Sequence, residues 1–149
     1  MAVDRIRNHP IIIFDTNALF IPFEFRINLD SELKRLFGDY EIIIPNCVMK
    51  EIQRLSNTQR FGKMALSLVK KIAQPNWYPE FEDKLLNELS TGPQKYDENP
   101  IDNQILEIAK AINGIVLTND RAFLKTLTAN NVKTISLRKK KYLVTDFNI

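Results

Sequence analysis

Apolar positions along this chain follow two rhythms: short unbroken runs, and longer stretches where they recur every third or fourth residue. Ile11 to Phe14 is an unbroken run rich in β-branched residues, the pattern of a strand covered on both faces. Glu41 to Ile44, Gly114 to Leu117 and Val132 to Leu137 read as further strands, and Trp77 with Tyr78 as a short edge piece. Between them the period turns helical. Ser31 to Phe37, behind an Asp30 cap, sets Leu33, Leu36 and Phe37 on one face. Asn46 is placed to cap Cys47 to Leu55, whose stripe is Val48, Ile52 and Leu55. Phe61 to Ala73 carries Met64, Leu68, Val69 and Ile72 at helical spacing, and Phe81 to Leu89 carries Leu85, Leu86 and Leu89. Pro100 at a first helical position opens the strongest pattern, with Ile101, Ile105, Ile108, Ala109 and Ile112 inward and Asn113-Gly114 closing it. Asp120 caps a last helix through Leu127.

Strands alternating with amphipathic helices predict an α/β fold, with helices on both faces of a mainly parallel sheet. The 149 residues suit one domain over residues 1–149, and the chain shows no repeat, low-complexity tract or glycine-serine linker. Hydrophobic residues at 44% and charged residues at 26% are globular values, which argues against disorder. No apolar run approaches the roughly 20 residues that span a bilayer. The start, MAVDRIRNHP before a short isoleucine run, lacks the long apolar stretch of a secretory signal, so none is expected. Cys47 is the only cysteine, which excludes an internal disulfide and a cysteine-based zinc site and makes a reducing cytoplasm the expected compartment. His9 is the only histidine, so no mechanism built on a His pair is available.

The net charge of +3 is a mild bias, and its distribution says more. Arg138, Lys139, Lys140 and Lys141 form a cationic run, and Arg60, Lys63, Lys70 and Lys71 a looser one. Solvated lysines on exposed faces account for both; a phosphate-binding surface is the sharper alternative.

Sites in parallel α/β folds lie beyond the carboxyl ends of the strands. Two such ends carry acids at once: Asp15-Thr16-Asn17 follows the first strand, and Thr118-Asn119-Asp120 follows the third. Asp102 stands in the first turn of the helix that feeds the third strand. Glu51 falls roughly 60° from Val48 at 100° per residue, so it flanks the buried stripe of its helix. Each acid alone has an ordinary explanation, as a cap, a dipole partner or a surface glutamate. Convergence is what changes the odds. Unpaired carboxylates on one rim repel each other, and a divalent cation removes the conflict, with oxygen-only ligation suiting Mg²⁺ or Mn²⁺.

The segments IIIFDTNALF, PNCVMKEIQRL, IDNQILEIAKAINGIVLTND and RAFLKTL together resemble PIN-domain ribonucleases along nearly the whole chain. IIIFDTNALF with FIPFEFRINLDSELKRL after it is similar to archaeal PIN proteins related to rRNA-processing factors, and VapC-type toxins share the acidic framework. The resemblance implies a three-layer α/β/α domain and Mg²⁺- or Mn²⁺-dependent hydrolysis of RNA phosphodiester bonds. Carried over by position, it makes Asp15, Glu51, Asp102 and Asp120 the catalytic acids. Asp15, Asp102 and Asp120 would be the metal ligands, and Glu51 a ligand or the residue that orients the water. Asn17 and Thr118 resemble residues that hold the acids by hydrogen bonds. Asn103 stands where many relatives carry a further aspartate, which weakens the expectation of a second metal. RNA is the expected partner, with Arg138, Lys139, Lys140 and Lys141 as its phosphate contacts. A homodimer is an inherited expectation, and an antitoxin partner is less favoured than a role in rRNA processing.

Two other classes start with an aspartate after the first strand. A haloacid-dehalogenase-like phosphatase wants a second acid two residues later, where this chain has Asn17; a receiver domain needs an acidic pair that is absent here. A PIN fold that binds RNA or assembles without cutting is the remaining rival.

Overall fold

The computed structural model describes residues 9–72 and 100–148. The chain opens with β1 (Ile11–Phe14), a 3₁₀ turn (Asn17–Phe20) and the single-turn helix α1 (Ile21–Glu24). Next come α2 (Leu29–Phe37), β2 (Glu41–Ile43), α3 (Asn46–Leu55) and α4 (Gly62–Ile72). The second described segment holds α5 (Pro100–Ile112), β3 (Ile115–Leu117), α6 (Arg121–Ala129), β4 (Lys133–Arg138) and β5 (Tyr142–Thr145).

These strands form one sheet in the order β2-β1-β3-β4-β5. The β1–β2, β1–β3 and β3–β4 pairs are parallel, and β5 returns antiparallel to β4. All four residues of β1 and all three of β3 are buried, which is why both are written as continuous apolar runs. Chain connection runs from β1 to β2 on one side, then to β3 on the other. The sheet's switch point therefore lies between β1 and β3, with their carboxyl ends on the same rim.

The expected α/β fold with a mainly parallel sheet is what forms, and the departures from expectation are local. Helix α2 starts at Leu29 with Asn28 as its cap, whose side chain accepts from the Ser31 N–H at 3.0 Å; Asp30 lies inside the helix instead and accepts from the Tyr40 hydroxyl. Helix α3 begins at Asn46 itself, after Pro45, without a side-chain cap. Met64 is 50% exposed, because the inward stripe of α4 runs through Ala65 and Val69. Asn113 takes the left-handed conformation (φ 55°) that ends α5, as its dipeptide with Gly114 predicts. The strand expected at Trp77 and Tyr78 and the helix expected at Phe81 to Leu89 lie outside the described residues.

Strand β5 was absent from the sequence reading, since its four residues follow a lysine run. Two long-range contacts fasten its outer edge. The Leu143 N–H donates to Glu32 Oε1 at 2.8 Å, and Arg35 Nη2 donates to the Leu143 carbonyl at 2.8 Å. One helix thus satisfies the open backbone of an edge strand, the part of a sheet most exposed to unwanted pairing.

The turn between α3 and α4 is equally specific. A Cβ on Gly62 would lie 2.5 Å from the Leu55 carbonyl oxygen and 2.8 Å from the Ser56 Cα, both backbone. Only glycine permits that approach. Gly62→Ala is expected to lower stability by about 1–3 kcal/mol through forced backbone displacement. Urea unfolding of the two proteins checks this, and equal midpoints would mean that the turn relaxes freely.

Candidate active site

The hydrogen-bond ladder of the sheet runs one residue past each of the two central strands, and this fixes the site. The Asp15 N–H donates to the Leu117 carbonyl at 3.3 Å, and the Thr118 N–H to the Ile135 carbonyl at 3.1 Å. Asp15 is 4% exposed. Its Oδ1 accepts from the Ala18 N–H at 2.9 Å, and its Oδ2 accepts from the Thr118 hydroxyl. That hydroxyl oxygen in turn accepts from the Asp120 N–H at 3.1 Å. Asn17 closes the same seam, its Oδ1 accepting from the Asn119 N–H at 3.0 Å. Thr118 thus bonds an acid directly, whereas Asn17 reaches the Asn119 backbone and not an acid; together they tie the first acidic loop to the second.

Asp120 does serve as the cap of α6, accepting from the Phe123 N–H at 3.1 Å, and it also lines the cleft. Capping and a place in the site are compatible. A cleft of about 620 Å³ opens over the switch point, and Asp15, Glu51, Asp102 and Asp120 all line it. They arrive from β1, α3, α5 and the β3–α6 loop, so only the tertiary fold assembles them. Glu51 is partly buried and reaches Arg54 Nη2 at 3.4 Å. Asn103 is next to Asp102 on α5 but does not line the cleft. Arg138 to Lys141 form the β4–β5 hairpin at the same rim of the sheet, outside the cleft lining; Lys139 and Lys140 both have positive φ.

The electrostatics follow from this crowding. Burial pushes the Asp15 carboxyl up from the usual 3.8 to about 7; hydrogen bonds from Thr118 and Ala18 oppose the shift, and the charges of Asp102 and Asp120 add to it. Asp102 rises to about 6, again through burial first and then through Asp120 and Glu51. Beside them, the Thr16 hydroxyl oxygen is buried at the cleft with no hydrogen-bond partner among the described residues. This end of the cleft therefore gathers four carboxyl groups around a buried hydroxyl oxygen without a hydrogen-bond partner among the described residues.

The same cleft is lined by residues that the sequence reading did not single out: Phe20, Phe23, Arg26, Gln59 and Phe61, along with Arg60 from the looser cationic run. The alternation of aromatic and charged residues in FIPFEFR, directly after the first acidic loop, was the available signal for the first three of these.

A mainly parallel sheet with a carboxylate-lined crevice at its switch point defines an α/β protein with its crevice at the strand ends, where folds of this class bind their ligands. The particular family is shown by comparison: the chain belongs to the PIN-like domain family, whose model matches residues 12–140. A relative, Ribonuclease VapC4 of Methanocaldococcus jannaschii, is 33% identical over 134 residues, covering 88% of this chain and 92% of that protein. The solved structure of the PIN domain endonuclease Utp24 has a TM-score of 0.64 at 17% identity, over 93% of this chain and 92% of that one. VapBC2 from Rickettsia felis, solved bound to a DNA fragment from its promoter, has a TM-score of 0.57 at 17% identity, over 86% of this chain and 99% of that one. At 17% identity these two likenesses are of fold.

The raised carboxyl of Asp15 has a measurable consequence in the ion-free protein. Between about pH 4 and 7 the folded chain keeps a proton at Asp15 that the unfolded chain has lost, so stability falls as pH rises through that window. The shift is on the order of 4 kcal/mol at most. Asp15→Asn, which keeps the shape without the charge, is expected to flatten the slope and to be at least as stable as wild type at pH 8 in EDTA. Melting curves across pH check it; a variant that melts lower than wild type at pH 8 would make Asp15 a purely structural residue.

Proposed function

We propose that this chain is a metal-dependent ribonuclease that hydrolyses RNA phosphodiester bonds at the acidic end of the cleft. The observation that carries this reading is the meeting of Asp15, Glu51, Asp102 and Asp120 at one crevice, with burial holding the first and third well above the usual carboxylate range. The 33% identical relative is a ribonuclease and a protein sharing the fold is an endonuclease, which supports the same reading.

The donor set fits a hard divalent cation. Its atoms are all oxygens, from Asp15, Asp102 and Asp120 with the unpartnered Thr16 hydroxyl beside them. Among the described residues no three acids already stand at metal-ligand spacing. Asp15, Asp102 and Asp120 would hold Mg²⁺ or Mn²⁺. When bound, the cation neutralises the carboxylates and stabilises the charge that develops on the scissile phosphate.

The remaining work belongs to the chain's own residues. Glu51 orients the attacking water and accepts its proton at a carboxylate oxygen, while Arg54 steadies the side chain. Water adds to phosphorus as Glu51 takes its proton, one P–O bond breaks, and the departing ribose oxygen takes up a proton from solvent. Thr118 and Asn17 keep the two acidic loops in register, so the carboxylates need little reorganisation. Arg138 to Lys141, at the same rim, take phosphates of the strand further from the cut.

Two cellular settings fit this chemistry: rRNA maturation, and a VapC-type role with an antitoxin partner. The second is favoured by one observation, the 33% identity to a protein named VapC4 over most of both chains. The neighbouring gene decides it: a small co-purifying protein that blocks cleavage supports the toxin role. A homodimer in solution is expected in either setting, and sedimentation tests it.

Asp15→Asn, Asp102→Asn and Asp120→Asn are each expected to lower RNA cleavage roughly a hundredfold or more while RNA binding survives. Saturating Mn²⁺, at about 100 times its dissociation constant, is expected to stabilise the wild type by about 2.7 kcal/mol and Asp15→Asn much less. An intact Mn²⁺ shift in Asp15→Asn would remove the metal-ligand assignment.

The hairpin gives a separate expectation. Replacing Lys139 and Lys140 with asparagine, which tolerates their left-handed backbone, and Lys141 with glutamine should weaken RNA binding. The slope of log affinity against log salt should fall by about one per lost contact. An unchanged salt titration would return these lysines to ordinary solvated surface.

A further inference from the structure

Besides the acids, the cleft is lined by aromatic and cationic side chains. Phe23 and Phe61 have ring centroids 6.3 Å apart, and the Arg60 guanidinium lies 4.8 Å over the Phe61 ring. Phe61 and Arg26 both hold positive φ, 67° and 56°. A bulky residue in that region is a genuine outlier and persists only where its surroundings force it. Here the force is visible. Gly62 is pressed against the Leu55 carbonyl and the Ser56 backbone, its N–H donates to the Gln59 carbonyl at 2.9 Å, and the Ala65 N–H donates to the Phe61 carbonyl at 2.9 Å. The close turn from α3 to α4 therefore fixes Phe61 at the cleft.

We propose that Phe61 and Arg60 form a stacking subsite for one unpaired base beside the scissile phosphate. In the free protein the guanidinium covers a face of the ring. An exposed cation–π contact of this kind is weaker than the stacking of a base on an aromatic ring. A strand entering the cleft exchanges base for guanidinium at the ring, and the freed Arg60 moves to a phosphate. Arg26 in the same cleft adds a second positive charge, so the two outnumber the exposed Glu24 that also lines it. The acids would hold the cation that the cleavage chemistry needs, and the Phe61–Arg60 pair holds the flanking nucleotide. Because every base has a π-face, the subsite selects for an unpaired nucleotide rather than for a base identity. The inference rests on the nuclease reading and adds to it which residues hold the strand.

The test uses the full chain and a single-stranded oligoribonucleotide carrying the fluorescent base 2-aminopurine at each position in turn. Ca²⁺ replaces Mg²⁺ or Mn²⁺ to keep the strand bound. Stacking quenches 2-aminopurine, so one or two adjacent positions should lose fluorescence on binding. Phe61→Leu should abolish the quench and weaken binding roughly tenfold, whereas Phe61→Tyr keeps both. Arg60→Gln should lower the salt slope by about one and leave the quench in place. If wild type binds and cuts the strand yet no position is quenched, or if a folded Phe61→Leu keeps the quench, the subsite is overturned and the nuclease reading stands. If wild type neither binds nor cuts RNA with Mg²⁺ or Mn²⁺, both fall. Should Phe61→Leu fail to fold, the wild-type position scan and Arg60→Gln still decide.

Discussion

Everything at the working end of this protein depends on one buried contact, the hydroxyl of Thr118 donating to the carboxylate of Asp15. It joins the ends of two adjacent parallel strands at the place where the sheet changes direction. A carboxylate that is 4% exposed is costly unless hydrogen-bonded, and here two donors meet it, the Thr118 hydroxyl and the Ala18 N–H. They reduce the cost without removing it, since the carboxyl still sits near 7. The protein thus keeps a residual electrostatic debt at the switch point, and the fold around it is arranged to hold that debt in place.

The surrounding packing shows how. Apolar strands β1 and β3 exclude water from both faces of the sheet, and their backbone ladder extends one residue into each acidic loop. The loops therefore share the rigidity of the strands. Asn17 adds a second cross-tie, and Asp120 is steadied by capping its own helix. Helices α3 and α5 then bring Glu51 and Asp102 to the same cleft. Away from the site, Glu32 and Arg35 secure the edge strand whose hairpin carries the lysine run, so α2 contributes to the shape of the far rim.

The cleft has two chemically distinct sets of lining residues because they come from different parts of the chain. Acids collect at the strand ends, where the sheet leaves a crevice. Aromatic rings and arginines come from the 3₁₀ turn, from α1, from Arg26 two residues beyond it, and from the turn between α3 and α4, where the glycine-tight approach sets an unfavourable backbone at Phe61. A polyanion with flat bases matches both sets at once. Neither set alone would define a path for a strand.

The α/β class, its mainly parallel central strands and the acids themselves were legible in the sequence, for a local reason. A strand covered on both faces must be apolar throughout, and the loop that follows it lies at the rim, so Asp15, directly after Ile11 to Phe14, and Asp120, three residues after Gly114 to Leu117, could be placed from the runs. Caps were less legible: Asn28 displaced Asp30 because neighbouring polar residues compete for the same end, and packing chooses between them. Strand β5 and the exposed side of Met64 were decided by partners far along the chain, Glu32 and Arg35 in the first case and the packing of α4 through Ala65 and Val69 in the second. The aromatic lining was decided the same way. Its geometry depends on a positive φ at Phe61 that no phenylalanine favours by itself, and only the contact of Gly62 with α3 imposes it. Local hydrophobic period determined the elements, while contacts between distant elements determined which side chains share a cleft.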